Sequence, residues 1–391
     1  MNRHFFGMVM AGLVALAALA ACHKNEDPTP TPPKPEVTGY TLKPLAEMTL
    51  KEKVGQLFNV RPEVLSPESS GYVTKGTQAM TDFFKEYPVG GITLFAGNIT
   101  NPTQIKNFTS FLHDLGNYPL LCVDEEGGRV ARIARNTQFS VPVYSSMEAV
   151  GKTGDPKNAY SAGEAIGTYL MNYGFDMDLA PVCDVNTNPN NVVIGDRAFG
   201  SDPALVADMT SEFLKGLKHA KVEGCLKHFP GHGDTSTDSH YGYAESKKTW
   251  EELAACEMLP FQKCIQADAK MVMTAHISLP NVTGGETPST LSPLILQEKL
   301  RGYLGYKGII ITDSMAMGAI TKEYSAGDAA VLAIEAGVDI VLDPEDFKVA
   351  FKAVMDAVES GRISMSIIDE RVARVLALKK SILQSRGLLK G

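Results

Sequence analysis

The sequence predicts an α/β protein built as a (β/α)8 TIM-like barrel, a single domain, on two observations. Short apolar runs alternate with helical patterns through eight repeats from Leu45 onward. Eight run-and-helix repeats imply a parallel sheet covered on both faces. Six of the runs end in a polar group, at Asp124, Asp184, His228, His276, Asp313 and Asp343. Strand carboxyl ends converge on the top face of a closed barrel, so scattered polar ends become one site there. A doubly wound open sheet is the second choice at this length.

The repeats follow in order. The helix-like MTLKEKVGQLF leads to a first run, Leu57–Val60. A helix near Thr77–Tyr87 precedes the run Gly91–Phe95, and Asn101 with Pro102 opens the next helix as cap and first-turn residue. The run Pro119–Asp124 follows, and further runs span Asp176–Val182, Gly224–His228, Lys270–His276, Gly308–Asp313 and Val338–Leu342. Helices are expected between and after them at Asn158–Asn172, Pro203–Ala220, Trp250–Ala267, Glu323–Ala336, Glu345–Ser360 and Ile367–Leu383. Asp343, just before Pro344, reads as a helix cap.

Ahead of these repeats lies an address. Arg3 and His4 precede an apolar run from Phe5 to Ala21, too short and too rich in small residues to span a bilayer well. It closes on Leu19-Ala20-Ala21-Cys22, which resembles the lipobox of bacterial lipoproteins. Residues 1–21 would be the signal peptide, Cys22 the acylated first residue, and residues 22–40 a Pro/Thr-rich tether. Lys24 with Glu26 and Asp27 resembles a surface-export signal. The expected location is the cell envelope, as an outer-membrane lipoprotein facing the periplasm or the surface. Residues 41–391 then form the catalytic domain. The 44% apolar content and net charge of −8 suit a folded, mildly acidic body, and no Lys/Arg cluster offers a nucleic-acid face. Five cysteines besides Cys22, an odd number with no CxxC pair, read as free thiols packed as small hydrophobes.

Four stretches carry chemistry. Lys227–His240, KHFPGHGDTSTDSH, packs three histidines, two aspartates and a lysine around two glycines and a proline that rule out a continuous helix. Val123–Arg132, VDEEGGRVAR, sets a strand-end Asp124 beside two glycines and the forked donors of Arg132. Gly195–Gly200, GDRAFG, places Arg197 among small residues in an Asn-rich loop. Ile309–Met317, IIITDSMAM, delivers Asp313 at the end of an apolar strand, either as a nucleophile or as the N-cap of the following helix.

In this order and spacing, VDEEGGRVAR, IGDRAFG, KHFPGHGDTSTDSH and TDSMAMGAI resemble family 3 glycoside hydrolases, most of all their exo-β-N-acetylglucosaminidase branch. The resemblance runs from Leu45 to the C-terminus. It implies Asp313 as catalytic nucleophile, His240 as the proton-transferring group and Asp238 as its partner. It also implies sugar contacts at Asp124, Arg132, Arg197, Lys227 and His228. Many members of the family carry a second α/β domain after the barrel, for which this chain has no room. A loop-borne acid/base would make that loss tolerable.

Those roles also make chemical sense from the residues. Retaining glycosidases usually oppose two carboxylates about 5 Å apart; here a histidine would replace one of them. Asp238 and His240 are two apart, so in extended backbone their side chains point the same way, and the carboxylate would fix the imidazole tautomer. The expected reaction removes terminal β-N-acetylglucosamine, from peptidoglycan fragments or chitin-type oligosaccharides, with no cofactor and no metal. Alternatives within the family are a phosphorylase and a β-glucosidase. Outside it stand a zinc hydrolase using His228, His232, Asp238 and His240, and a lipoprotein that binds glycans without cutting them.

Overall fold

A computed structural model describes residues 39–235 and 244–390. The signal segment, Cys22, the tether up to Thr38, and Asp238 and His240 lie outside the described residues. Gly39–Gly391 forms one compact unit.

Eight parallel strands make the barrel: β1 Phe58–Val60, β2 Gly91–Leu94, β3 Leu120–Val123, β4 Met177–Asp178, β5 Glu223–Phe229, β6 Met271–Thr274, β7 Ile309–Ile311 and β8 Val341–Leu342. Each pairs with its neighbour in chain order, and β8 pairs with β1. The ring closes where Ile311 bridges Ile340, with the Ile340 N–H donating to the Ile310 carbonyl. The eight repeats are therefore eight staves of one closed sheet.

The helices flank the strands: α1 Leu50–Gln56, α2 Gln78–Glu86, α3 Pro102–His113, α4 Pro156–Asn172, α5 Pro203–His219, α6 Met258–Gln266, α7 Ala326–Ala336, α8 Phe347–Glu359 and α9 Met365–Arg386. Their starts follow local chemistry. Thr49 and Glu52 form a reciprocal capping box on α1, and Asn101 caps α3 ahead of Pro102. Among the described residues no helix is long and apolar enough to cross a membrane.

Three expected elements differ. Asp176–Val182 pairs regularly only at Met177–Asp178, because Pro181 has no N–H to give the ladder; the chain rejoins β5 where Val182 bridges Lys227. Trp250–Ala267 is two helices, Trp250–Ala255 and α6, broken at Cys256. There Glu257 turns inward, fully buried, to meet Lys248. The helix expected from Glu323 starts at Ala326, where the Ser325 hydroxyl caps the Asp328 N–H. A π-helical stretch, Leu294–Tyr303, fills the β6–β7 connection, which the apolar pattern had left without a helix.

Side chains alternate across each strand. Leu120, Cys122, Met177, Leu179, Cys225, Met271, Met273, Ile309, Ile311 and Leu342 form one apolar cluster, the barrel interior. Leu121, Val123, Leu226, Val272, Ile310 and Val341 belong to the other, between strands and helices. At the amino-terminal end of the barrel Leu378, Ile382 and Leu383 of α9 join the inner cluster and close its floor. Tyr40 packs there too, bridging Leu389, with its ring 4.7 Å from that of Tyr118. Cys122, Cys183, Cys225 and Cys264 are buried free thiols, and Cys256 is half-buried.

Candidate active site

The alternation that fills the barrel also aims the site. Continuing two residues past Cys122, Cys225 and Ile311 of the inner cluster reaches Asp124, Lys227 and Asp313, the first polar positions above the apolar plug. A further step of two from Asp124 reaches Glu126. The strand carboxyl ends thus deliver three acids and a lysine to one mouth.

The Lys227 ammonium donates to Asp124 Oδ1 at 2.7 Å and lies 2.6 Å from Glu126 Oε1. Arg197 reaches the same Glu126 with both prongs, Nε at 2.8 Å and Nη2 at 2.7 Å, while its Nη1 donates to the Val193 carbonyl. Arg132 Nη2 donates to Asp124 Oδ2 at 3.2 Å. Beside them His228 Nδ1 meets Asp184 Oδ2 at 2.7 Å, and Asp184 Oδ1 accepts the His232 N–H at 2.6 Å. A carboxylate on Nδ1 orients the His228 ring and leaves Nε2 facing the cavity side, 3.4 Å from Arg197.

Burial alone would push these acids toward neutrality, but paired charges reverse it. Asp124, held by Lys227 and Arg132, and Glu126, held by Arg197 and Lys227, both sit below the usual carboxylate range. Asp184 is lowered by His228 in the same way. Burial pulls Lys227 down, yet Asp124 and Glu126 raise it above the ordinary lysine value. His232 is driven by burial to about 4 and so stays neutral at pH 7. His276, also lowered chiefly by burial, donates from Nε2 to the Ser314 carbonyl and so pins the residue next to Asp313.

Two cavity lobes meet at Asp313. One, about 180 Å³, is lined by Asp124, Glu126, Arg132, Arg197, Lys227, His228 and Asp313. The other, about 360 Å³, adds Arg61, Phe95, Ser314 and Asp343 and shares Asp124, Arg132, Asp313 and Met317 with the first. All six described candidates from the sequence, Asp124, Arg132, Arg197, Lys227, His228 and Asp313, therefore line one space. The first lobe carries three carboxylates and three permanent cations, so it presents paired donors and acceptors with little net charge. Such a lining matches a neutral, hydroxyl-rich ligand. Among the described residues no group of three or more His, Cys, Asp or Glu could hold a metal ion.

Two readings of single residues change. Asp343 is not a helix cap: Asp346 caps α8. Instead the Arg61 guanidinium grips both Asp343 oxygens, and the Ser314 hydroxyl donates to Asp343 Oδ2 at 2.8 Å. Asp313 caps no helix either; it accepts the Ser314 N–H at 2.7 Å, and the short helix after it begins beyond Met317. Sequence reasoning passed over Glu126 and Arg61. The period-two step from Asp124 was a usable signal for Glu126. Nothing local marks Arg61, whose partner lies 282 residues away.

A closed (β/α)8 barrel with its polar residues gathered at the carboxyl ends of the strands defines a barrel-enzyme architecture with a preformed site for a polar ligand. The glycosyl hydrolase family 3 N terminal domain matches residues 49–378, and the chain belongs to that family. It is 34% identical over 336 residues to β-hexosaminidase A of Pseudoalteromonas piscicida, covering 79% of this chain and 56% of that protein. It is also 34% identical over 277 residues to a β-hexosaminidase of Stenotrophomonas maltophilia, covering 69% of this chain and 80% of the relative. Among solved structures it resembles a glycoside hydrolase family 3 β-N-acetylglucosaminidase from Paenibacillus, with TM-score 0.80 and 38% identity over 86% of this chain and 63% of that one. The chain thus spans little more than half the length of the first relative and under two thirds of that structure.

Proposed function

We propose that this protein is a retaining, exo-acting glycoside hydrolase that removes terminal β-linked N-acetylglucosamine. The observation that carries the reading is the meeting of Asp313 with the Asp124–Lys227–Glu126–Arg197 network in one cavity. The names of the relatives, β-hexosaminidases and a β-N-acetylglucosaminidase, support the choice of sugar.

In this reading Asp124, Arg132, Lys227, Arg197 and His228 bind the sugar hydroxyls and fix the ring against Asp313. The Asp313 carboxylate attacks the anomeric carbon while His240, partnered by Asp238, protonates the departing glycosidic oxygen. A glycosyl–Asp313 ester forms and the aglycone leaves. His240, now neutral, takes a proton from water, which attacks the same carbon and releases Asp313 with net retention. Asp124 and Arg132 already engage each other, so sugar hydroxyls would meet preorganised partners. The natural substrates we assign are peptidoglycan fragments or chitin-type oligosaccharides.

Rates on aryl β-glycosides test this directly: the N-acetylglucosaminide should be cleaved faster than the glucoside or xyloside. Faster glucoside cleavage overturns the choice of sugar. In the same assay His240→Ala should lose roughly 10²–10⁴-fold on a poor leaving group and much less on dinitrophenolate, which needs no proton. Equal losses on both would remove His240 from the acid role.

We further propose that Cys22 is acylated and anchors the enzyme to the cell envelope, on the strength of the Leu19–Cys22 motif. Cys22→Ser should move the protein from the membrane pellet to the soluble fraction. An unchanged pellet would refute the anchor.

A further inference from the structure

Glu125 stands between two site residues in sequence but on the other side of the wall. Alternation sends Asp124 and Glu126 into the cavity and Glu125 behind the strand, where it is fully buried beneath α4. No cation meets it. Its carboxylate instead gathers four donors: Oε2 accepts the N–H groups of Arg132 at 2.6 Å and Ile133 at 2.9 Å, and Oε1 accepts the Ala134 N–H and the Tyr169 hydroxyl, each at 2.8 Å. Its own N–H donates to Asp178 Oδ1 at 3.0 Å, behind the adjacent stave.

Three successive backbone N–H groups on one carboxylate resemble an anion nest, with the anion supplied by the protein itself. The segment so gripped starts at Arg132, whose guanidinium faces Asp124 in the cavity. Cutting a buried acceptor away from four donors leaves each of them unsatisfied, a far larger loss than one surface hydrogen bond.

We propose that Glu125 is a positioning residue for Arg132, a brace behind the strand that aims the guanidinium at the sugar site without touching the cavity. Tyr169 extends the brace to α4. The role in turnover rests on the reading of Arg132 and Asp124 as sugar-binding groups.

Turnover and amide exchange together test it. In wild type the N–H groups of residues 132–134 should be protected from hydrogen exchange. Glu125→Ala should release protection there first, and Tyr169→Phe, which removes one donor and keeps the ring packed, should release it in part. Undiminished protection at 132–134 in both variants overturns the brace whether or not any glycoside is cleaved. On the aryl N-acetylglucosaminide, Glu125→Ala should raise KM on the order of 10-fold with a smaller change in kcat, and Tyr169→Phe a few-fold. In an Arg132→Ala background both should have almost no further effect on KM, because the group they position is gone. Full additivity means that Glu125 acts by another route and overturns the proposal. Failure of wild type to cleave any glycoside would instead count against the proposed function, leaving the exchange result to decide the brace.

Discussion

Asp313→Ala is expected to lower kcat by roughly 10⁴-fold or more, the order of loss when a covalent nucleophile is removed, while KM moves only a few-fold. The asymmetry follows from position. Asp313 lies where the two lobes meet, and its Oδ1 is oriented by the Ser314 N–H. Sugar affinity should instead reside in Asp124, Lys227 and their partners, which the substitution leaves in place. Small anions provide a sharper test. Azide can enter the space vacated by the carboxylate and attack the anomeric carbon from the same face, so the variant should form an α-glycosyl azide as turnover recovers. A variant with near-normal turnover, or an azide product of β configuration, would remove Asp313 from the nucleophile role.

Glu126→Ala is expected to damage both stability and binding. Glu126 is almost completely buried and is the shared counter-charge for Lys227 and Arg197. Deleting it leaves Arg197 without its carboxylate partner and Lys227 with Asp124 alone, and breaking a buried pair from one side costs roughly 3–5 kcal/mol. A lower unfolding midpoint should therefore accompany a KM raised at least ~10-fold, since Lys227 and Arg197 would relax toward Asp124 and away from the sugar. The pH behaviour has a definite sign. Asp124 and Glu126 have folded-state values depressed below the unfolded ones of about 3.9 and 4.3. Their stabilisation is complete above those unfolded values and is lost only as pH falls through the lower folded ones. Wild-type KM should accordingly stay flat from pH 7 down to about 5. An acid limb in KM within that window, or a Glu126→Ala protein with unaltered midpoint and KM, would show that the network does not hold the site.

How much of this was legible beforehand can be argued residue by residue. Asp124 and Asp313 were legible because each ends an apolar run, and Lys227 because it stands one residue before the tip of another; a run's end is a local property. Arg132 and Arg197 stood out by type among small residues and glycines. Glu126 was passed over although it lies in phase with Asp124, because in VDEEGG it reads as one acid among several. Glu125, adjacent and chemically identical, does the opposite job from behind the wall; only the face to which each side chain points separates them. Asp343 was misread for a related reason. A polar residue ahead of a proline and a helix looks like a cap, and its actual partner, Arg61, sits at the far end of the chain.

The sequence by itself determined the period of the chain: eight apolar runs, most of their covering helices, and the polar residue at the tips of six runs. Those features depend on neighbours a few positions apart, where alternation, capping and proline geometry act. Only the tertiary structure decided the pairing of charges, because Lys227 meets Asp124 across 103 residues and Arg197 meets Glu126 across 71. Such contacts exist only once the sheet closes on itself and brings the stave ends within hydrogen-bond reach. Unpaired, the same buried carboxylates and cations would each pay the full cost of leaving water.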